Sequence, residues 1–189
     1  MSTARRYTSA DLDRLPDVEG VRYEIIEGEL HVSKQPSWHH QYTTGKICGV
    51  LEIWNDESGI GVTIPAPGVI FSTENDVIPD VAWISRKRLA LLEDRAGHLT
   101  GAPELVVEVL SPGAANERRD RELKLGVYSR QGVEEYWIVD WRMRTVEVFR
   151  RMEGALRSVA TLTDDDILTS PLLSGFACPI SRLWPPSLP

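Results

Sequence analysis

Cysteine is scarce in this chain. Cys48 and Cys178 are the only two in 189 residues, and neither stands in a CxxC or Cys/His spacing. A disulfide framework and a zinc site are therefore both excluded as organising features, and the two thiols read as small core hydrophobes. Long apolar runs are missing as well. No stretch approaches the roughly 18 uninterrupted apolar residues that a membrane helix needs. The segment Met1 to Asp17 is polar, without the apolar centre of a signal peptide, so no membrane association and a cytoplasmic location are expected. Positive charge is in deficit, with a formal net charge of -7. Lys and Arg neutralisation of phosphates supplies most non-specific nucleic-acid affinity, so any such contact here has to be local. Internal repeats and low-complexity linkers are absent too.

What remains is the composition of an ordinary globule, 42% hydrophobic and 26% charged, at a length that suits one medium domain over 1–189. Val21 to Ile26 and Glu29 to Val32 flank Glu27-Gly28, a hairpin turn between two strand-like runs. Ser37 can cap a helix from Trp38 to Trp54, in which Ile47, Val50, Leu51 and Trp54 recur at helical spacing. Gly59 to Phe71 reads as one strand made irregular by Pro65 and Pro67, and Asp80 to Ile84 as another, with a short helix or turn from Ser85 to Leu92. The pattern continues with a strand after Pro103, a helix over Asn116 to Arg130 stopped by Gly132, and a strand over Glu135 to Asp140. Thr145 to Arg150 and Ala155 to Leu162 form an antiparallel pair. This order gives a mixed α/β (α+β) fold.

One residue disturbs the pattern. Glu108 lies in the middle of Leu105-Val106-Val107-Glu108-Val109-Leu110, a run that otherwise reads as an interior strand. Burying an unpaired carboxylate costs about 3 kcal/mol or more, so Glu108 has to be paired, protonated or bound to a metal. Asp80 opens the preceding strand, and two adjacent strands can bring the acids side by side. Two such oxygens suit a hard cation: magnesium takes near-octahedral oxygen ligation from one or two carboxylates plus waters, and Asp80, Glu108 and the Val109 carbonyl would suffice.

The following helix adds a second clue. Leu123, Leu125, Val127 and Tyr128 make one broad apolar face, and Lys124 falls in the middle of it. Arg118, Arg119, Glu122, Ser129 and Arg130 project to the opposite, solvated side. An inward lysine needs an acidic neighbourhood. The plain alternatives are an Asp120–Lys124 helix pair worth about 0.3–0.5 kcal/mol, or a lysine that snorkels outward. Glu108 could likewise answer a core arginine, and Asp80 after a proline could be a simple strand start. His40 shares a helix face with Ile47 and Leu51, as a packing histidine or one that contacts a phosphate or water. Glu24 is either a third inward carboxylate or a solvent-facing hairpin residue.

Together, YEIIEGEL at 23–30, PDVAWIS at 79–85, GAPELVVEVLSP at 101–112, DRELKLGVY at 120–128 and GVEEYWIVD at 132–140 resemble the Uma family of restriction endonucleases, within the PD-(D/E)XK nuclease superfamily. The resemblance runs from about Tyr23 to Phe149. It implies an αβββαβ core with added β-hairpins. It matches Asp80 to the motif aspartate, Glu108 to the second acid, Lys124 to a lysine moved onto the following helix, and His40 and Glu24 to recurrent, less defined positions. The superfamily's simplest pattern has its lysine two residues after the second acid, where this chain carries Leu110; the inward Lys124 takes its place.

The activity so implied is divalent-metal-dependent hydrolysis of phosphodiester bonds, with DNA as the expected substrate and Mg or Mn as the cofactor. Metal at Asp80 and Glu108 would polarise the phosphate and acidify a water, while Lys124 orients that water and offsets developing charge. Arg86-Lys87-Arg88, or Arg118, Arg119 and Arg121, could line the substrate path. A symmetric homodimer would suit two-strand cleavage, with Trp137 or Trp141 as interface aromatics. Two other readings share the acidic cluster: a catalytically inactive DNA-binding or scaffold protein that keeps the fold, and a hydrolase of small phosphate esters, which needs a closed pocket.

Overall fold

The computed structural model describes residues 5–187. Its centre is a six-stranded sheet in the order β10-β9-β8-β7-β6-β3. These are β3 (Gly61–Pro65), β6 (Val81–Ser85), β7 (Leu105–Val109), β8 (Glu135–Asp140), β9 (Thr145–Met152) and β10 (Ala155–Leu162). Only β7 and β8 run parallel, joined by a helical crossover; the other neighbours are antiparallel. A second sheet, ordered β2-β1-β5-β4, contains β1 (Val21–Ile26), β2 (Glu29–Lys34), β4 (Val69–Ser72) and β5 (Asn75–Val77).

The hairpin of β1 and β2 turns at Glu27 and Gly28, whose φ values of 53° and 77° are those a type I′ turn demands. The long helix α2 (Trp38–Ser58) starts where Ser37 accepts a hydrogen bond from the His40 amide, and ends at Gly59 in the left-handed conformation. The short helices α1 (Ser9–Leu12) and α3 (Arg86–Leu92) lie outside the core, α3 capped by Ser85.

Strand alternation decides what each sheet face meets. Val107, Val109, Trp137 and Val139 pack against Ile47 and Leu51 of α2 and against a C-terminal segment. That segment forms the hairpin β11 (Ile167–Thr169) and β12 (Ala177–Pro179) and a 3₁₀ turn over Ile180–Leu183. On the other face Val106, Leu110, Tyr136 and Ile138 pack against Val127 and Tyr128 and against Ile26, Val69 and Val77 of the second sheet. Glu108 belongs to this second face.

Three expectations are corrected. Gly59 to Phe71 is two strands in two sheets: Pro65 and Pro67 break it, and Ala66 between them takes a φ of 49° while its amide donates to the Asp80 carbonyl at 3.0 Å. The crossover helix begins two residues early and is not uniform. It runs as α4 (Ala114–Arg118), a π-helical turn over Arg119–Lys124, and α5 (Leu125–Gln131). Trp137 is not an exposed interface aromatic. It is 1% exposed, because β8 is buried on both faces, and its indole donates to Glu135 at 2.6 Å. Trp141 is half-buried in a stack with His39.

Cys178 is buried and Cys48 half-buried, both free and both packed on the α2 face of the core. No helix among the described residues is long and apolar enough to cross a membrane.

Candidate active site

The antiparallel register of β6 and β7 pairs Val81 with Val107, which sets Asp80 beside Glu108 at the next position. Asp80 is held by three neighbours. Its Oδ2 accepts from the Val109 amide at 2.8 Å and sits 3.1 Å from His40 Nε2, while Oδ1 lies 3.8 Å from Arg22. Burial alone would push the Asp80 carboxyl up, but His40, the Val109 amide and Lys124 outweigh it and hold it below the ordinary carboxylate value.

Glu108 is 2% exposed and does have partners. Its Oε1 accepts from Lys124 Nζ at 2.9 Å and from the Tyr128 hydroxyl at 2.6 Å. Burial nonetheless pushes its pKa up to about 8, with Asp80, Asp120 and Glu24 adding repulsion that Lys124 only partly offsets. Lys124, 1% exposed, also reaches Glu24 Oε1 at 2.7 Å. Burial would lower its pKa, but the carboxylates dominate and raise it, so Lys124 stays an ammonium while burial draws Glu108 toward its protonated form. Glu24 also accepts from the Ile78 amide at 2.8 Å, which ties β1 to the Ile78-Pro79-Asp80 segment.

The π turn matters here. It buries both Asp120 and Lys124, yet they form no ion pair; Asp120 is instead held by two hydrogen bonds from Arg119, at 2.9 and 3.2 Å. Arg119 is thus drawn inward, against the expectation that it faces solvent, whereas Arg118 and Glu122 do pair on the surface. Arg86 and Arg88 are engaged elsewhere, with Gly59 and with Glu104 and Glu134.

The start of α2 is pinned by stacked rings, Trp38 on His39 at 3.8 Å between centroids and His39 on Trp141 at 4.4 Å. This fixes the first helical turn from which His40 reaches Asp80.

All five side chains singled out from the sequence, Glu24, His40, Asp80, Glu108 and Lys124, line one cavity of about 400 Å³, together with Arg22, Asn116 and Arg119 among others. Tyr128 and Arg22 were not singled out from the sequence, and Arg119 only as one of a basic run that could line the substrate path. Tyr128 could have been found four residues after Lys124 on the same face; the inward turn of Arg119 could not, because it depends on the π segment.

Asp80 Oδ1 and Glu108 Oε2 accept no hydrogen bond among the described residues. Carboxylate oxygens left open in this way are of the chemical type that hard divalent cations take among their ligands. Among the described residues no group of three or more His, Cys, Asp or Glu side chains is placed to hold a metal ion, so a cation here would depend on carbonyl and water ligands beyond the two carboxylates. Val109 adjoins the pair through its amide.

A family model described as "Uma2: Putative restriction endonuclease" matches residues 9–181. Among solved structures, a "putative nuclease belonging to DUF820" from Anabaena variabilis ATCC 29413 superposes with a TM-score of 0.74 at 18% identity, covering 93% of this chain and 96% of its own. At that identity the likeness establishes the fold. The type IIG restriction endonuclease BpuSI aligns with a TM-score of 0.40 at 13% identity, over 76% of this chain and 14% of its own. No curated protein matches the chain.

Proposed function

The chain belongs to the Uma2 family, described as "Putative restriction endonuclease", and from that premise we propose that it is a divalent-metal-dependent endonuclease that hydrolyses phosphodiester bonds of DNA. The observation that carries this reading is the placement of Lys124 between Glu108 and Glu24, with Asp80 beside Glu108 in the same cavity.

In this proposal Asp80, Glu108 and the Val109 carbonyl would hold magnesium or manganese, which when bound would supply Lewis-acid polarisation of the scissile phosphate and acidify water. His40 orients Asp80 and keeps it ionised. Tyr128 and Lys124 fix one oxygen of Glu108, so the other is presented to the cavity. Lys124 remains protonated throughout. It therefore acts by orienting the attacking water and offsetting charge on the phosphate, not as a base. Glu24 holds the Lys124 ammonium in place. Cleavage of both strands would suit a symmetric homodimer.

The direct test is to incubate purified protein and plasmid DNA with magnesium or manganese, beside Asp80→Ala, Glu108→Gln and Lys124→Ala. The wild type should nick or linearise the plasmid and the three variants should not; equal cleavage by all four sinks the site.

One observation favours an inactive DNA-binding scaffold instead. Lys124 and Arg119 already satisfy Glu24, Glu108 and Asp120 without any metal. Calorimetry with manganese separates the readings, since a purely structural cluster gives no binding that Asp80→Asn abolishes.

A further inference from the structure

Four cationic side chains line the cavity: Arg22, Lys34, Arg119 and Lys124. Two are committed. Lys124 bonds two carboxylates, and Arg119 is spent on Asp120. Lys34 lies exposed at the end of β2. Arg22 differs from all of these. Its side chain is one-third exposed, it donates no hydrogen bond among the described residues, and its nearest acid is Asp80 Oδ1 at 3.8 Å.

That position follows from strand geometry. Arg22 and Glu24 are two apart on β1 and so point to the same face. Glu24 reaches Lys124, and Arg22 stands over Asp80, so one strand of the second sheet presents a carboxylate to the ammonium and a guanidinium to the acid beside Glu108. A guanidinium carries five donors in a planar fork, and at 3.8 Å without a hydrogen bond Asp80 uses none of them well. The oxygen that Arg22 approaches is the one left open for a cation. Metal and guanidinium are like charges that cannot share it closely.

We propose that Arg22 is the phosphate-gripping side chain of this site, resting against Asp80 Oδ1 and passing to the non-bridging oxygens of a phosphodiester when a divalent cation occupies that oxygen. Fork-to-phosphate pairing is the contact for which the guanidinium geometry is suited. This rests on the nuclease reading above. It adds a substrate-binding residue on β1, outside the strands and helix that carry the acids and the lysine.

The test uses Arg22→Ala and Arg22→Lys in the full chain, with thermal unfolding to show that both fold. Manganese calorimetry should give affinity equal to or a few-fold tighter than wild type in Arg22→Ala, because a competing positive charge has gone. Engagement of a DNA oligonucleotide should weaken about tenfold or more, as expected for a charge-assisted contact. It is read as KM and kcat/KM, or as Kd where the DNA is not cleaved. The slope of log affinity against log salt should fall by about one. Arg22→Lys should recover part of the loss. Unchanged oligonucleotide engagement would show that Arg22 only balances Asp80, and weaker manganese binding would show that it only shapes the metal site; either overturns the proposal. Asp80→Ala cleaving like wild type is a different failure, that of the nuclease reading, and leaves the manganese and salt readouts intact.

Discussion

The Tyr128 hydroxyl donates to Glu108 Oε1 at 2.6 Å, from one helical turn beyond Lys124. Burial and the neighbouring Glu108 hold the phenol well above its usual pKa, so it is a fixed donor. Tyr128→Phe keeps the ring that packs on Phe71 and Tyr136 but removes that donor. The expected cost is about 1–3 kcal/mol of stability in urea unfolding, with Glu108 losing preference for its ionised form. Half-maximal metal-dependent activity should therefore move to higher pH. An unchanged pH profile would separate Tyr128 from the chemistry.

Glu108 gives a pH dependence of definite sign. Its folded pKa of about 8 lies above the ordinary 4.5, so the folded state holds the proton more tightly than the unfolded chain. Its contribution to stability is complete below pH 4.5 and is lost as pH rises through 8. Relative to wild type, metal-free Glu108→Gln should therefore gain stability across that window, measured by urea melts at pH 5, 7 and 9. A cation competing for Glu108 must displace the same proton. Manganese affinity should rise with pH up to about 8 and binding should release protons, seen as buffer-dependent calorimetric heats. Parallel stability curves for the two proteins would remove this assignment.

Glu108 and Lys124 stood out in the sequence because each broke a local rule, whereas Asp80, Glu24 and His40 were singled out by the family resemblance. Glu108 interrupts an apolar strand and Lys124 interrupts an apolar helix face, and burial turns each violation into a demand for a partner. The hairpin, the main helix and the order of the central strands followed from period and turn residues. What could not be read depended on long-range packing. The three-residue β5 and the β11–β12 hairpin carry too little periodicity to be seen. The split between β3 and β4 shows only once they join different sheets. By sequence Arg22 is an ordinary surface arginine and Arg119 one of a basic run on the solvated side of the helix, and only the pairing of β1 and the π turn bring them to the cavity.

Gly61 tests the sheet edge independently of the site. It faces the ring of Trp83, where a methyl group would come within 2.4 Å. The ring has little room to yield, since its indole donates to Asn55 at 2.9 Å and its edge meets Trp54. Gly61→Ala should destabilise by about 1–3 kcal/mol through overpacking, while manganese affinity measured well below the melting temperature stays unchanged. A variant as stable as wild type would mean that Trp83 can move without cost.

Lys124→Met separates structure from catalysis most sharply. The variant keeps much of the side-chain volume but leaves Glu24 and Glu108 buried without their shared ammonium. Breaking a buried pair from one side costs about 3–5 kcal/mol. Glu108 can relieve that cost by taking up a proton, so the loss should be larger at pH 8.5 than at pH 6. Adding Glu108→Gln should restore part of it, because one uncompensated charge is removed, and the two effects should be non-additive. A divalent cation should raise the melting temperature of Lys124→Met more than that of wild type, by supplying the missing positive charge. If Lys124 orients water as proposed, cleavage should still be absent in the cation-stabilised variant, since a cation that mends the fold would not take over that role. Cleavage at wild-type rate there would reduce Lys124 to a structural counter-ion and leave Asp80 and Glu108 as the working pair.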